Sequence, residues 1–149
     1  MVRISEESVF PADRGKLWKV LESHFDDSVI LKIHPFMISS KRINKEEKNA
    51  LIFERVVRNF GRTFSVTTKY DVTPMETFRW EITASTGGVA PGSYMENTYS
   101  DAGSGKTKLV TKGELTLRGV PGFLQGWIVR RTLNQWDNQD LGYLRRTQT

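Results

Sequence analysis

The chain has 149 residues, of which 38% are hydrophobic and 26% charged, with eight Phe, four Trp and four Tyr; it is too apolar to remain disordered and too short for two cores, so residues 1–149 are expected to form a single domain. It contains no cysteine, which excludes disulfide frameworks, thiolate metal sites and a cysteine nucleophile. The net charge of +5 is diffuse: residues 41–58 and 118–149 mix Lys and Arg with acids and form no basic run interleaved with aromatics, which argues against nucleic acid as a partner.

Val2, Ile4 and Phe10 recur on alternate positions of residues 2–10, a strand that ends at Pro11. Residues 13–25 then place Leu17, Val20 and Leu21 at helical spacing behind Asp13, and Asp26, Asp27 and Ser28 offer caps for a short second helix over 29–33, which must stop before Pro35. From residue 36 to 117 apolar and polar positions alternate between short turn sequences. This predicts six strands, over 36–44, 50–59, 63–72, 77–85, 93–100 and 107–117, joined as an antiparallel meander. After Gly119-Val120-Pro121-Gly122 a long helix is predicted over 123–146, with Val129, Leu133, Trp136, Tyr143 and Leu144 on one stripe; Trp136 rather than Trp127 is expected to face the sheet. The N-terminus lacks the apolar core of a secretory signal and no run is long enough to span a bilayer, so a cytoplasmic location is expected.

The two-residue period places Phe78, Trp80, Ile82 and Ala84 on the inner face of one strand, Phe64, Val66, Tyr70 and Val72 on another, and Leu109, Thr111, Gly113, Leu115 and Leu117 on the last. Two strands leave their faces open. Over 50–59 Leu51, Phe53, Arg55 and Val57 compete with Ile52, Glu54 and Val56; over 93–100 Tyr94, Glu96 and Thr98 compete with Met95, Asn97 and Tyr99. A polar group turned inward must find a partner, a water or a ligand, because burying it unpaired costs about 1–3 kcal/mol.

This order of elements resembles the helix-grip fold of the START-related (SRPBCC) superfamily, which includes birch-pollen allergen-like and polyketide cyclase/dehydrase-like domains. The resemblance is carried by Phe10-Pro11-Ala12-Asp13 leading into Leu17-Trp18-Lys19-Val20-Leu21, by Phe78-Arg79-Trp80-Glu81-Ile82, and by the Gly103-Ser104-Gly105-Lys106-Thr107 tip continuing into Lys108-Leu109-Val110-Thr111. It implies an α+β fold in which a seven-stranded curved antiparallel sheet wraps the C-terminal helix around a pocket for a hydrophobic molecule. The residues expected to line it are Phe53, Phe64, Val66, Trp80, Ile82, Glu96, Tyr99, Thr111, Leu115, Val129, Leu133 and Trp136.

No spacing specifies a reaction. The Gly103 to Thr107 segment resembles the end of a phosphate-binding loop, but Ser100 stands where that loop needs Gly, and a strand follows where it needs a helix; a hairpin turn is expected. His24 and His34 lie near helix ends without metal-ligand spacing, so a helix-end or surface role is expected, and neither a metal nor a cofactor. Glu54, Glu96, Asp140, Tyr94, Tyr99 and the two histidines are the groups available for acid–base work, and nothing selects a pair among them. The expected function is binding or transport of a hydrophobic small molecule. The alternatives are a cyclase or dehydratase-like enzyme, and an interaction module in which Arg118, Arg130, Arg131, Arg145 and Arg146 contact a partner protein or an anionic membrane surface.

Overall fold

The computed structural model describes residues 1–43, 51–59 and 61–147, with the side chain of Asn59 left aside; the predicted strand ends and turns at 44–50 and at 60 lie outside the described residues. Strand β1 (Val2–Phe10) leads into helix α1 (Arg14–Glu22), where Asp13 accepts a hydrogen bond from the Lys16 amide at 2.9 Å and so satisfies a donor the first turn leaves free. A 3-10 turn, Ser23–Phe25, follows. Helix α2 (Asp27–Ile33) begins two residues earlier than the sequence suggests, because Asp26 caps it by accepting from the Ser28 and Val29 amides. Six strands then run consecutively: β2 (Met37–Arg42), β3 (Leu51–Asn59), β4 (Arg62–Thr73), β5 (Thr77–Ser85), β6 (Tyr94–Gly103) and β7 (Lys106–Leu115). Helix α3 (Gly122–Thr147) completes the chain.

All seven strands form one antiparallel sheet in the order β1-β7-β6-β5-β4-β3-β2. The meander is as predicted, and β1 pairs with β7, so the two sheet edges are the strands that α1 and α2 connect. Between β6 and β7 the ladder runs on to Gly103↔Lys106, and Ser104 (φ 53°) and Gly105 (φ 70°) both adopt the left-handed conformation a two-residue hairpin needs. The phosphate-loop look-alike is thus a turn.

Parity fixes most inner faces, with one departure. The β4–β5 ladder shifts register where Thr67 pairs with Ala84 and Thr68 with Ile82, so Thr83 is an extra residue. This bulge flips the alternation, and Ala84, expected inside, is exposed. On β3 the inner face is Phe53, Arg55 and Val57, all buried; on β6 it is Met95, Asn97 and Tyr99. Glu96, expected in the pocket, is corrected to the exposed outer face. There it stands opposite Arg79 on β5 and Lys112 on β7, in a lateral row of alternating charge, while Met95 and Tyr99 bury apolar surface that Tyr94 and Thr98 could not match.

Under α1 the core is aromatic: Trp18 meets Tyr99 edge-on at 5.8 Å, and Phe25 stacks between Phe53 (6.0 Å) and Phe78 (5.7 Å). A second cluster joins Val129 and Leu133 of α3 to Ile4, Met95 and Leu115. Helix α3 packs against α1, α2 and β1 along Val129, Leu133 and Leu144; Trp136 turns inward, 5.8 Å from Phe36 and 6.1 Å from Trp80, whereas Trp127 is 60% exposed. Gly113 marks the closest approach of β7 to β6, where a Cβ would lie 2.9 Å from Met95 Cα and closer still to the Tyr94 carbonyl.

Candidate functional site

The inner face of β1 reads Val2, Ile4, Glu6, Ser8, Phe10, and its middle does not bury. Ile4 and Phe10 are 6% and 7% exposed, yet Glu6 and Ser8 between them are open to solvent, so water reaches the inner face of the sheet beside α3. Opposite Glu6 on β7 is Thr111, whose hydroxyl donates to Asn97 Oδ1 at 2.8 Å. Burial, reinforced by the charges of Asp140 and Asp137, pushes the Tyr99 phenol up, so it remains a proton-bearing donor. On α3, burial together with the charges of Asp140 and Glu6 raises Asp137 to about 6. Glu6, Ser8, Asn97, Thr111 and Asp137 thus keep polar groups at least partly exposed, and half-buried Trp80 and Trp136 meet at 6.1 Å.

Deeper in, three elements bring together the only two histidines and one acid. His24 from the 3-10 turn and His34 from the C-cap of α2 do lie at helix ends, but they are 8% and 4% exposed, which corrects the surface role also expected for them. Their Nε2 atoms are 3.1 Å apart, and Asp140 Oδ1 of α3 lies 3.2 Å from His24 Nε2 and 3.1 Å from His34 Nε2. His24 Nδ1 donates to the Val20 carbonyl at 3.0 Å, and His34 Nδ1 to Gln139 Oε1 at 2.5 Å. Burial alone would raise the Asp140 carboxyl, but the facing imidazoles outweigh it and hold it well below the usual carboxylate range.

Arg55, open to either face in the sequence, points inward and is 2% exposed. It donates to the Tyr70 phenol oxygen, to the His24 carbonyl at 2.6 Å and to Ser40 Oγ at 3.2 Å, and Ser40 Oγ in turn donates to Asp27 Oδ1 at 2.8 Å. The guanidinium also lies 4.7 Å from the Phe53 ring centre. It is a positioning residue: it holds the backbone that carries His24.

Of the residues expected to line a pocket, Phe53, Val66, Ile82, Tyr99, Leu115, Val129 and Leu133 are buried in the packed core, and Phe64 covers Gly88. Trp80, Thr111 and Trp136 are half-buried. Two depressions mark the surface. One of about 560 Å3 crosses β4–β6 over Asp71, Thr73, Arg79 and Glu96, and one of about 520 Å3 follows the polar side of α3 at Arg131, Asn134 and Asn138; neither is lined by Trp80, Trp136 or Asp140. Among the acid–base candidates, Glu54 is exposed on the outer face of β3, and Tyr94 packs its ring 4.8 Å from the Arg79 guanidinium. Arg118, Arg130, Arg131, Arg145 and Arg146 are all exposed. Among the described residues no helix is long and apolar enough to cross a membrane.

Glu6, Ser8 and Asp137 escape a sequence reading that seeks apolar faces. Their signal is the interruption itself: two polar residues between Ile4 and Phe10 on one face of a strand, and acids at 137 and 140 within the stripe that includes Val129, Leu133 and Leu144.

A curved seven-stranded antiparallel sheet with a long C-terminal helix, and two short helices after the first strand, is a helix-grip α+β fold. No protein-family model and no curated protein matches the chain. Among solved structures it is similar to the Zhui aromatase/cyclase from Streptomyces sp. R1128 (TM-score 0.72, 15% identity, covering 99% of this chain and 96% of that one). It is equally similar to Ara h 8.0201 (TM-score 0.73, 19% identity, 96% and 97% covered) and to a START superfamily protein from Mycobacterium smegmatis (TM-score 0.72, 14% identity, 97% and 98% covered).

Proposed function

We propose that this chain binds a hydrophobic small molecule, lipid-like or polycyclic, in the gap between the inner face of the sheet and α3. The observation that carries this reading is the open middle of β1: a strand whose inner face is buried at both ends exposes Glu6 and Ser8 between Ile4 and Phe10. Trp80 and Trp136 supply flat apolar contact at one end of the gap, and Asn97, Thr111 and Asp137 supply the few polar groups that orient a ligand. A ring-bearing molecule with one hydroxyl or carbonyl end suits this lining.

The test is uptake of an apolar fluorescent dye by the purified chain, followed through its tryptophans, together with organic extraction and mass spectrometry for a co-purifying molecule. Ser8→Trp places a large ring in the gap from an exposed position. It is expected to weaken dye binding at least about tenfold while leaving the melting temperature unchanged. Equal uptake by wild type and Ser8→Trp would place the dye elsewhere and remove the reading.

A second reading, a cyclase-like enzyme, is favoured by Asp137, because a carboxyl raised to about 6 beside an open gap is poised for proton transfer near neutral pH. The two readings separate on Asp137→Asn: a carrier keeps its dye affinity and has no turnover to lose, whereas an enzyme keeps its affinity and loses rate.

A further inference from the structure

We propose that His24, His34 and Asp140 form a binding site for one divalent first-row transition-metal ion, held by both Nε2 atoms and by Asp140 Oδ1. This inference stands apart from the ligand gap and does not depend on it.

The argument begins with hydrogen-bond roles. The Val20 carbonyl can only accept, so His24 Nδ1 carries a proton, and Gln139 Oε1 likewise takes the proton of His34 Nδ1. In neutral rings both Nε2 atoms are then lone pairs, and they face each other and a carboxylate oxygen across 3.1–3.2 Å. Protons cannot resolve this triangle. Each corner is either a donor or an acceptor, and with three corners and two roles at least one edge always joins two of a kind. A single cation between them satisfies all three edges at once.

The dimensions agree. An ion about 2.0–2.1 Å from each corner of a triangle with these edges subtends roughly 95–106° between ligands and sits ~1 Å out of their plane, which leaves one side open for further ligands. Neutral imidazole nitrogens with one carboxylate suit first-row transition metals better than Mg2+ or Ca2+, which favour oxygen ligands throughout. Each imidazole also gives its remote N–H to an oxygen acceptor, the support that metal-bound histidines use to fix tautomer and ring orientation. A second, independent sign is Asp140 itself. Its side chain is 14% exposed, and Oδ1 has no well-aligned hydrogen-bond partner despite its closeness to both nitrogens.

The probe is Zn2+, titrated against a chromogenic chelator into the full chain without a histidine tag and stripped of metal beforehand. One equivalent is expected to bind with Kd below about 1 µM, and His34→Gln and Asp140→Asn are each expected to weaken it about 100-fold. No binding, or unchanged affinity in both variants, overturns the site. Because either substitution disturbs buried packing, the deciding measurement uses the wild-type protein. With only two histidines, the 15N spectrum of the imidazoles is fully assignable, and Zn2+ is expected to shift both Nε2 resonances while both Nδ1 atoms keep their protons. Two Nε2 resonances indifferent to Zn2+ would mean that the triad shares protons only.

Discussion

A guanidinium that is 2% exposed and bonded to a phenol, a carbonyl and a hydroxyl, as Arg55 is, has exchanged all its water for fixed dipoles. Arg55→Met keeps much of the volume but strands the His24 carbonyl and the Tyr70 hydroxyl, so a loss of about 2–4 kcal/mol is expected in urea denaturation. Asp137 makes the opposite prediction. Its carboxyl is raised in the fold to about 6, so the native state holds this proton more tightly than the unfolded chain does. The stability linked to Asp137 is therefore complete below pH ~4 and is lost as pH rises through 6. In chelator-containing buffer, Asp137→Asn is expected to be more stable than wild type by about 2 kcal/mol at pH 7, with the two melting curves converging below pH 4. A gap that persists at pH 4 would assign the effect to packing rather than ionisation.

At the scale of elements, periodicity made most of the structure legible: β1 and β5 fall where alternation puts them, and α3 where its apolar stripe and the preceding Gly-Val-Pro-Gly put it. The failures have local causes. One extra residue at Thr83 reversed the expected side of Ala84, and a two-residue turn at Ser104-Gly105 let β6 and β7 run further than turn composition suggests. Gly113 shows what alternation alone does not report, a backbone approach too close for any Cβ. Gly113→Ala is expected to cost about 2–3 kcal/mol and to weaken amide protection along β6–β7 in hydrogen exchange, with little change in the β3–β4 pair.

The candidate site was less legible than the fold because its parts are distant in sequence. His34 and Gln139 are 105 residues apart, and no spacing rule connects a 3-10 turn, a helix C-cap and the third quarter of a C-terminal helix. Only the tertiary fold brings them together. Long-range pairing also governs folding: β1 pairs with β7 from Val2↔Leu115 to Phe10↔Thr107, so the ladder joins the widest separation the sheet offers. Folding dominated by such pairing is slow, on the order of milliseconds to seconds, and in pulsed hydrogen exchange the β1–β7 amides are expected to gain protection after those of β3–β4.

The β1–β7 pairing also bears on synthesis. A ribosome releases Val2–Phe10 before its partner strand, which follows more than ninety positions later. Throughout that interval the nascent strand is an orphan, the kind of segment that invites pairing with neighbouring polypeptides. Its composition suits the wait: Arg3, Ser5, Glu6, Glu7 and Ser8 keep it hydrated. The same glutamate and serine that stay exposed on the inner face of the finished sheet thus also keep the emerging strand hydrated.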